Sequence, residues 1–248
     1  MNVRPIIVLL HGWGMNARVF DALAARLAGD FDVHAADLPG HGGRAPLAAN
    51  TLAAWADDFA HTVPDGATLV GWSLGGQVAL RAAIDHPQRI ARLVLLATTP
   101  RFVAGAGWAH GIAAADLDAF GAALLTDPEA TLLRFLSLQT RGMDDQRALL
   151  QQLRQTLFAA QPADPAALAA GLDILRTTDL RAELPRIAQP TLVLHGALDT
   201  LTPSGAGASL AAALPHAQHV AITRAAHAPH LSHPEAVAAA LGGFVRGE

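Results

Sequence analysis

Apolar residues along the chain keep two rhythms. Short unbroken runs alternate with longer stretches in which apolar positions recur every three or four residues. Ile6-Ile7-Val8-Leu9-Leu10, closed by Gly12, has the pattern of a parallel strand buried on both faces. Phe31–Ala36, Thr68–Val70, Leu93–Ala97, Thr191–Leu194 and His219–Ile222 read as five further strands. Between them lie helical patterns at Val19–Leu27, at Leu52–Val63 with Thr51 or Asn50 as N-cap, and at Leu74–Asp85 before His86-Pro87. A last helix follows Pro234 and runs to about Phe244. Strand–helix repetition of this kind predicts an α/β fold, a mostly parallel sheet with right-handed crossovers and helices on both faces.

One stretch breaks the rhythm. From Pro100 to Pro190 the sequence offers no good strand, only helical patterns at Asp116–Leu125, Pro128–Thr140, Asp145–Phe158 and Pro165–Leu175, and a short one near Leu180–Ile187. The expected organisation is a core of residues 1–99 and 190–248 with an inserted helical cap over 100–189.

Composition narrows the chemistry. With 248 residues, 52% hydrophobic and 15% charged, the chain can bury one sizeable core and is not disordered. A net charge of −4 argues against nucleic-acid binding. There is no cysteine, and all 17 basic residues are arginine, so thiolate, Schiff-base and Ser–Lys chemistry are excluded. No apolar run is long enough for a membrane span or resembles a secretion leader, so a cytoplasmic protein without membrane attachment is expected; a monomer is the default, which the sequence itself does not decide.

Three places carry candidate chemistry. Gly71-Trp72-Ser73-Leu74-Gly75-Gly76 sets a G-x-S-x-G between a strand and a helix, the context in which a serine becomes an exposed nucleophile on a tight turn. The N–H of Leu74, at the start of the helix, would face a developing oxyanion. His11-Gly12-Trp13-Gly14 follows the first strand and offers the Trp13 N–H as a second donor. That segment has a rival reading: Gly12-x-Gly14-x-x-Ala17, with Asp37 about 20 residues on, is a permitted dinucleotide fingerprint. The third place is C-terminal. Asp199 follows the fifth strand and His227 the sixth, which gives Ser73, Asp199, His227 the nucleophile–acid–base order of a hydrolytic triad. His219 lies at the wrong end of its strand and His233 reads as a cap or surface residue; His230 is the competitor of His227.

Taken together these residues resemble α/β-hydrolases with a helical cap, and more narrowly the carboxylesterases of biotin synthesis. Beyond the shared motifs, the resemblance rests on Arg134-Phe135-Leu136-Ser137-Leu138-Gln139-Thr140, on Gly171 to Arg181, and on Ala225-Ala226-His227-Ala228-Pro229 through Ser232-His233-Pro234. It implies hydrolysis of the methyl ester of pimeloyl-[acyl-carrier protein], with no metal or organic cofactor. It implies a substrate site formed by Trp13, Ser73, Leu74, Phe135, Leu136, Ser137, Leu138, Gln139 and His227. The antiparallel strands that usually precede the first parallel one look missing or minimal. A general short-chain esterase, a lactonase or a carbon–carbon hydrolase on the same scaffold stays open, as does a non-catalytic binding protein.

The insertion can also be read from its charges. Arg134 and Arg141, and Arg147 and Arg154, are each seven residues apart, so each pair could share a helix face. Only Asp144 and Asp145 oppose them in this stretch. The four arginines are candidates for contact with an acidic acyl carrier protein; the bland alternative is a solvated surface.

Overall fold

A computed structural model of the chain describes residues 4–143 and 145–248; Asp144 falls outside them. Six strands form one sheet: β1 (Ile6–Leu10), β2 (Asp32–Ala36), β3 (Ala67–Trp72), β4 (Ile90–Leu96), β5 (Thr191–Gly196) and β6 (Ala217–Ile222). Their order is β2-β1-β3-β4-β5-β6, and every pairing is parallel. Among the described residues no antiparallel strand precedes β1.

Side-chain alternation splits the core in two. Val8, Leu10, Leu69, Leu93, Leu95 and Val193 join the cluster on one face, which includes α2 (Leu52–Thr62) and α3 (Leu74–Asp85). Ile7, Leu9, Val70, Trp72, Val94, Leu96, Leu192 and Leu194 join the other, under α1 (Asp21–Leu27) and the C-terminal helix. β3 and β5 are buried at every residue, whereas the edge strands β2 and β6 are mostly exposed or half-buried. This is why the inner strands read as continuous apolar runs.

Between β4 and β5 the chain forms α4 (Ala114–Thr126), α5 (Pro128–Gln139), α6 (Gln146–Phe158) and α7 (Pro165–Thr177), then a 3₁₀ turn at Leu184–Arg186. Two of these start on an Asp-Pro pair: Asp127 caps the Ala130 N–H and Asp164 caps those of Ala166 and Ala167, with proline in the first turn. The chain ends with α8 (Ser204–Ala213), the single turn α9 (Pro229–Ser232) and α10 (Pro234–Arg246).

Three details differ from the sequence reading. The helix expected from Val19 begins as a 3₁₀ turn, Ala17–Phe20, capped by Asn16, before α1. α8 was not anticipated, because its Ser, Gly and Ala residues give almost no contrast between faces. α5 stops at Gln139, and Gly142 follows in the left-handed region (φ 85°), so Arg141 stands past the helix end and shares no helix face with Arg134. Among the described residues no helix is long and apolar enough to cross a membrane.

Candidate active site

The strand order reverses between β1 and β3, and a crevice at the carboxyl ends is where open α/β sheets place their ligands. β1 delivers Gly12 and Trp13 to that crevice, and β3 delivers Ser73. The two turns are in contact: a methyl group added at Gly12 would lie 3.1 Å from Ser73 Cβ.

Ser73 is held at φ 54°, ψ −118°, a conformation strained for a residue with a side chain. It persists because its surroundings fix it. Ser73 N–H donates to Leu96 O at 3.0 Å, and its carbonyl accepts from Gly76 N–H at 2.9 Å and Thr98 Oγ1 at 2.6 Å. The flanking glycines are steric necessities; a Cβ at Gly75 would stand 2.5 Å from the carbonyl oxygen of His11.

His227 reaches Ser73 from the loop after β6. Its Nε2 lies 3.0 Å from Ser73 Oγ, and its Nδ1 lies 2.8 Å from Asp199 Oδ2. Asp199, after β5, also accepts from Leu201 N–H (2.9 Å) and Thr202 N–H (3.0 Å) on Oδ1, and from the Thr202 hydroxyl (2.7 Å) on Oδ2. Burial alone would raise the Asp199 pKa, but the adjacent His227 and these hydrogen bonds outweigh it and hold the carboxyl below its ordinary value. Both ends of the His227 peptide unit are fixed as well. Its N–H donates to Gln139 O at 3.2 Å, and its carbonyl accepts from Trp72 Nε1 at 2.8 Å.

His230 has a different setting. It is fully buried, packed at 5.0 Å from the Phe20 ring and 4.6 Å from Trp72, and neither ring nitrogen has a hydrogen-bond partner. Burial, with His227 nearby, lowers its pKa to about 3. His219 lies within β6, and His233 pairs with Ser232 Oγ at the start of α10. Asp37, the acid of the dinucleotide reading, is turned back on the loop after β1. Its Oδ1 accepts from Ala17 N–H at 2.7 Å and approaches His11 Nε2 at 3.5 Å. The helix N-terminus that a pyrophosphate would need is therefore closed by a carboxylate, and that reading is set aside.

Helices α5 and α7, between β4 and β5, pack on Trp13. Trp13 is fully buried; its Nε1 donates to Leu168 O on α7 at 2.8 Å, and its ring meets Phe135 edge-on at 5.0 Å. Beside them a cavity of about 360 Å³ is walled by Phe102, Leu117, Phe120, Phe135, Leu138, Leu172, Leu175, Thr200 and Leu201. Arg134, Arg141 and Asp116 supply its charged walls. The triad atoms are not part of its lining; of the lining residues, Phe135 packs on Trp13 and Thr200 follows Asp199 in the chain.

Helix geometry sorts the α5 residues that the resemblance grouped together. Phe135, Leu138 and Gln139 fall on one face. Leu136 turns away into the core cluster that holds Leu153 and Leu157, and Ser137 is half-buried outside the cavity lining. Gln139 is fully buried, and neither its Oε1 nor its Nε2 has a partner. Arg147 and Arg154, on α6, border a separate shallow depression with Phe158, so the four arginines do not line one pocket. The sequence reading missed Thr202, Trp72 Nε1 and Thr98 as supports of the triad. Only Thr202 had a local signal, the tendency of Asp to bind backbone two and three residues on.

The chain belongs to the alpha/beta hydrolase fold family, which matches it over residues 5–234. Within that class it is 44% identical over 231 residues to the pimeloyl-[acyl-carrier protein] methyl ester esterase of Nitrosomonas europaea, covering 93% of this chain and 92% of that protein. It is also 44% identical over 249 residues to the protein of that name from Aromatoleum aromaticum, covering 98% and 99%. Among solved structures, an esterase from Exiguobacterium antarcticum superposes with a TM-score of 0.90 at 23% identity, over 99% of this chain and 93% of that one. A hydrolase from Pseudomonas aeruginosa gives 0.81 at 31% identity, over 98% and 90%.

Proposed function

We propose that this chain is a serine carboxylesterase that hydrolyses the methyl ester of pimeloyl-[acyl-carrier protein] to the free acid and methanol, a step in biotin synthesis. The observation that carries the chemistry is the unbroken line from Ser73 Oγ through His227 to Asp199 at the exit of β3. The relatives' names supply the substrate.

Ser73 Oγ attacks the ester carbonyl while His227 Nε2 takes its proton. Asp199 holds the imidazole in the tautomer with Nδ1–H and stabilises the imidazolium. The Trp13 and Leu74 N–H groups receive the oxyanion. His227 returns the proton to the departing methanol, then activates a water that cleaves the acyl-enzyme. No step calls on a metal or organic cofactor.

The insertion, residues 100–189, acts as a cap that selects the acyl chain. Its apolar cavity suits a linear chain; the Gln139 amide, buried and unpartnered outside the cavity lining on the same α5 face as Phe135 and Leu138, is the donor and acceptor we assign to an acyl-chain carbonyl. Arg134, Arg141, Arg147 and Arg154 are exposed, and among the described residues none is in an ion pair. Several other arginines are matched, as in Arg44 with Asp58 and Arg81 with Asp85 and Glu183. Exposed cations without carboxylate partners among the described residues, two at the cavity and two on α6, suit an acidic carrier protein.

The test is complementation of a strain that requires biotin because it lacks this esterase, alongside turnover of p-nitrophenyl butyrate. Rescue that depends on Ser73 supports the reading. Turnover without rescue would make the chain a general esterase, and no turnover would make it a binding protein.

A further inference from the structure

Thr202 is buried beside the triad, at 1% exposure. Its Oγ1 lies 2.7 Å from Asp199 Oδ2, 3.1 Å from Ala97 O and 3.3 Å from His227 Nδ1. A hydroxyl has a single proton to donate, and of these two acceptors the carboxylate is nearer and charged. With His227 Nδ1–H as the second donor to Oδ2, and Leu201 and Thr202 N–H on Oδ1, four donors occupy the four acceptor directions of Asp199. Ala97, the alternative acceptor, stands at φ 44° immediately after β4, and its own N–H donates to Leu194 O at 2.8 Å. The Thr202 hydroxyl thus lies between the carboxyl end of β4 and the acid of the triad, and its one proton goes to the acid.

We propose that Thr202 is a positioning residue for the hydrolysis described above, acting through Asp199. Its hydroxyl fixes the rotation of the carboxylate so that Oδ2 faces His227, and it draws part of the negative charge away from the imidazole. The inference rests on the esterase reading for its kinetic consequence. Other titratable groups near the pair are His195 on β5, which faces Asp199 and His227 and has His219 of β6 beyond it, and His230 on α9, which faces His227. Substitutions at 202 leave all of these in place.

Thr202→Val keeps the shape and removes the hydroxyl; Thr202→Ser keeps the hydroxyl. With p-nitrophenyl butyrate, Thr202→Val is expected to lower kcat roughly tenfold with KM changed by less than about twofold, the size expected for one hydrogen bond to a charged group. The acidic limb of its kcat/KM profile, which reports His227, should move up by about half a unit, because Oδ2 regains charge. Thr202→Ser should restore both. The His227 ring titration, followed by NMR in a Ser73→Ala background, should move up in the same way without any turnover. Thr202→Ala replaces the valine variant if that one does not fold. Full kcat with an unmoved limb, or a serine variant as impaired as the valine one, would overturn the assignment. A wild-type protein without hydrolysis would overturn the esterase reading instead, and the NMR titration would still decide for or against Thr202.

Discussion

The two halves of the site are finished to different degrees. On the sheet, Ser73, His227 and Asp199 have their polar side-chain atoms engaged with one another or with Thr202 and the backbone. On the helical insertion, the Gln139 amide is buried with no partner, and four exposed arginines lack a carboxylate among the described residues. A buried amide left unsatisfied costs ~1–3 kcal/mol. The sheet half carries unpartnered buried groups too, among them the rings of His195 and His230, but none belongs to the Ser73–His227–Asp199 line, whereas on the insertion the unpartnered groups include the ones proposed to meet substrate and carrier.

The largest effects should come from the finished half. Ser73→Ala and His227→Ala are each expected to remove ester hydrolysis by about 10⁴–10⁶-fold, because triad members act as a unit. Circular dichroism should show both folded. His230→Ala, in contrast, removes a packed neutral ring and should retain far more activity. Equal damage from His230→Ala in folded protein would show that the wrong histidine carries the proton.

The same half should be acid-labile. Burial, chiefly, lowers His41 and His230 to about 3 and His195 to about 4, against 6.5 when free. The unfolded chain therefore takes up protons first as pH drops below 6.5, and stability falls until the buried rings titrate near pH 4 to 3. Urea unfolding should show a loss of up to ~1.4 kcal/mol per pH unit for each such histidine. His230→Phe should shallow the slope; an unchanged slope would mean the ring is not held neutral.

Much of this division is legible in the amino-acid sequence, and the parts that are not have physical reasons. The strands of the sheet's interior show as apolar runs because both their faces are covered, and the Asp-Pro starts of α5 and α7 are local signals. Ser73 is legible because the glycines around it are required by backbone contacts that any such turn makes. α8 is not, because small residues packed on His195 carry no amphipathic contrast: a Cβ on Gly207 would collide with that ring. The grouping of Leu136 and Ser137 with Phe135 and Gln139 treats a helix as a ribbon, and successive residues on a helix point about 100° apart. The pairing of Arg134 with Arg141 presumes a helix that continues past Gln139. Trp72 and Thr98 act across 155 and 25 residues of chain, which no local pattern encodes.

In the unfinished half the expected effects are smaller and split between stability and function. Gln139→Leu should raise stability by about 1 kcal/mol by removing an unsatisfied amide. It should also lower kcat/KM for a long-chain acyl ester roughly tenfold, since the carbonyl loses its partner. A variant that is less stable would mean the amide is satisfied at rest. Gly171→Ala would gain helix propensity of ~1 kcal/mol. Its new methyl would stand 2.6 Å from Trp13 Cδ1, however, so the melting temperature should drop instead. A rise would show that Trp13 and α7 are not tightly engaged.

The central claim, chemistry on the sheet and carrier recognition on the insertion, is tested most directly by reversing Arg134, Arg141, Arg147 and Arg154 to Glu together. The measurement is kcat/KM for the carrier-bound pimeloyl methyl ester and for p-nitrophenyl butyrate, at low and high salt. Single exposed pairs contribute about 0.2–1 kcal/mol, so four together should cost roughly tenfold or more on the carrier-bound ester alone, through KM. The wild-type preference for that ester should shrink as salt rises. Equal loss on both substrates, or no loss on either, would contradict the division of labour.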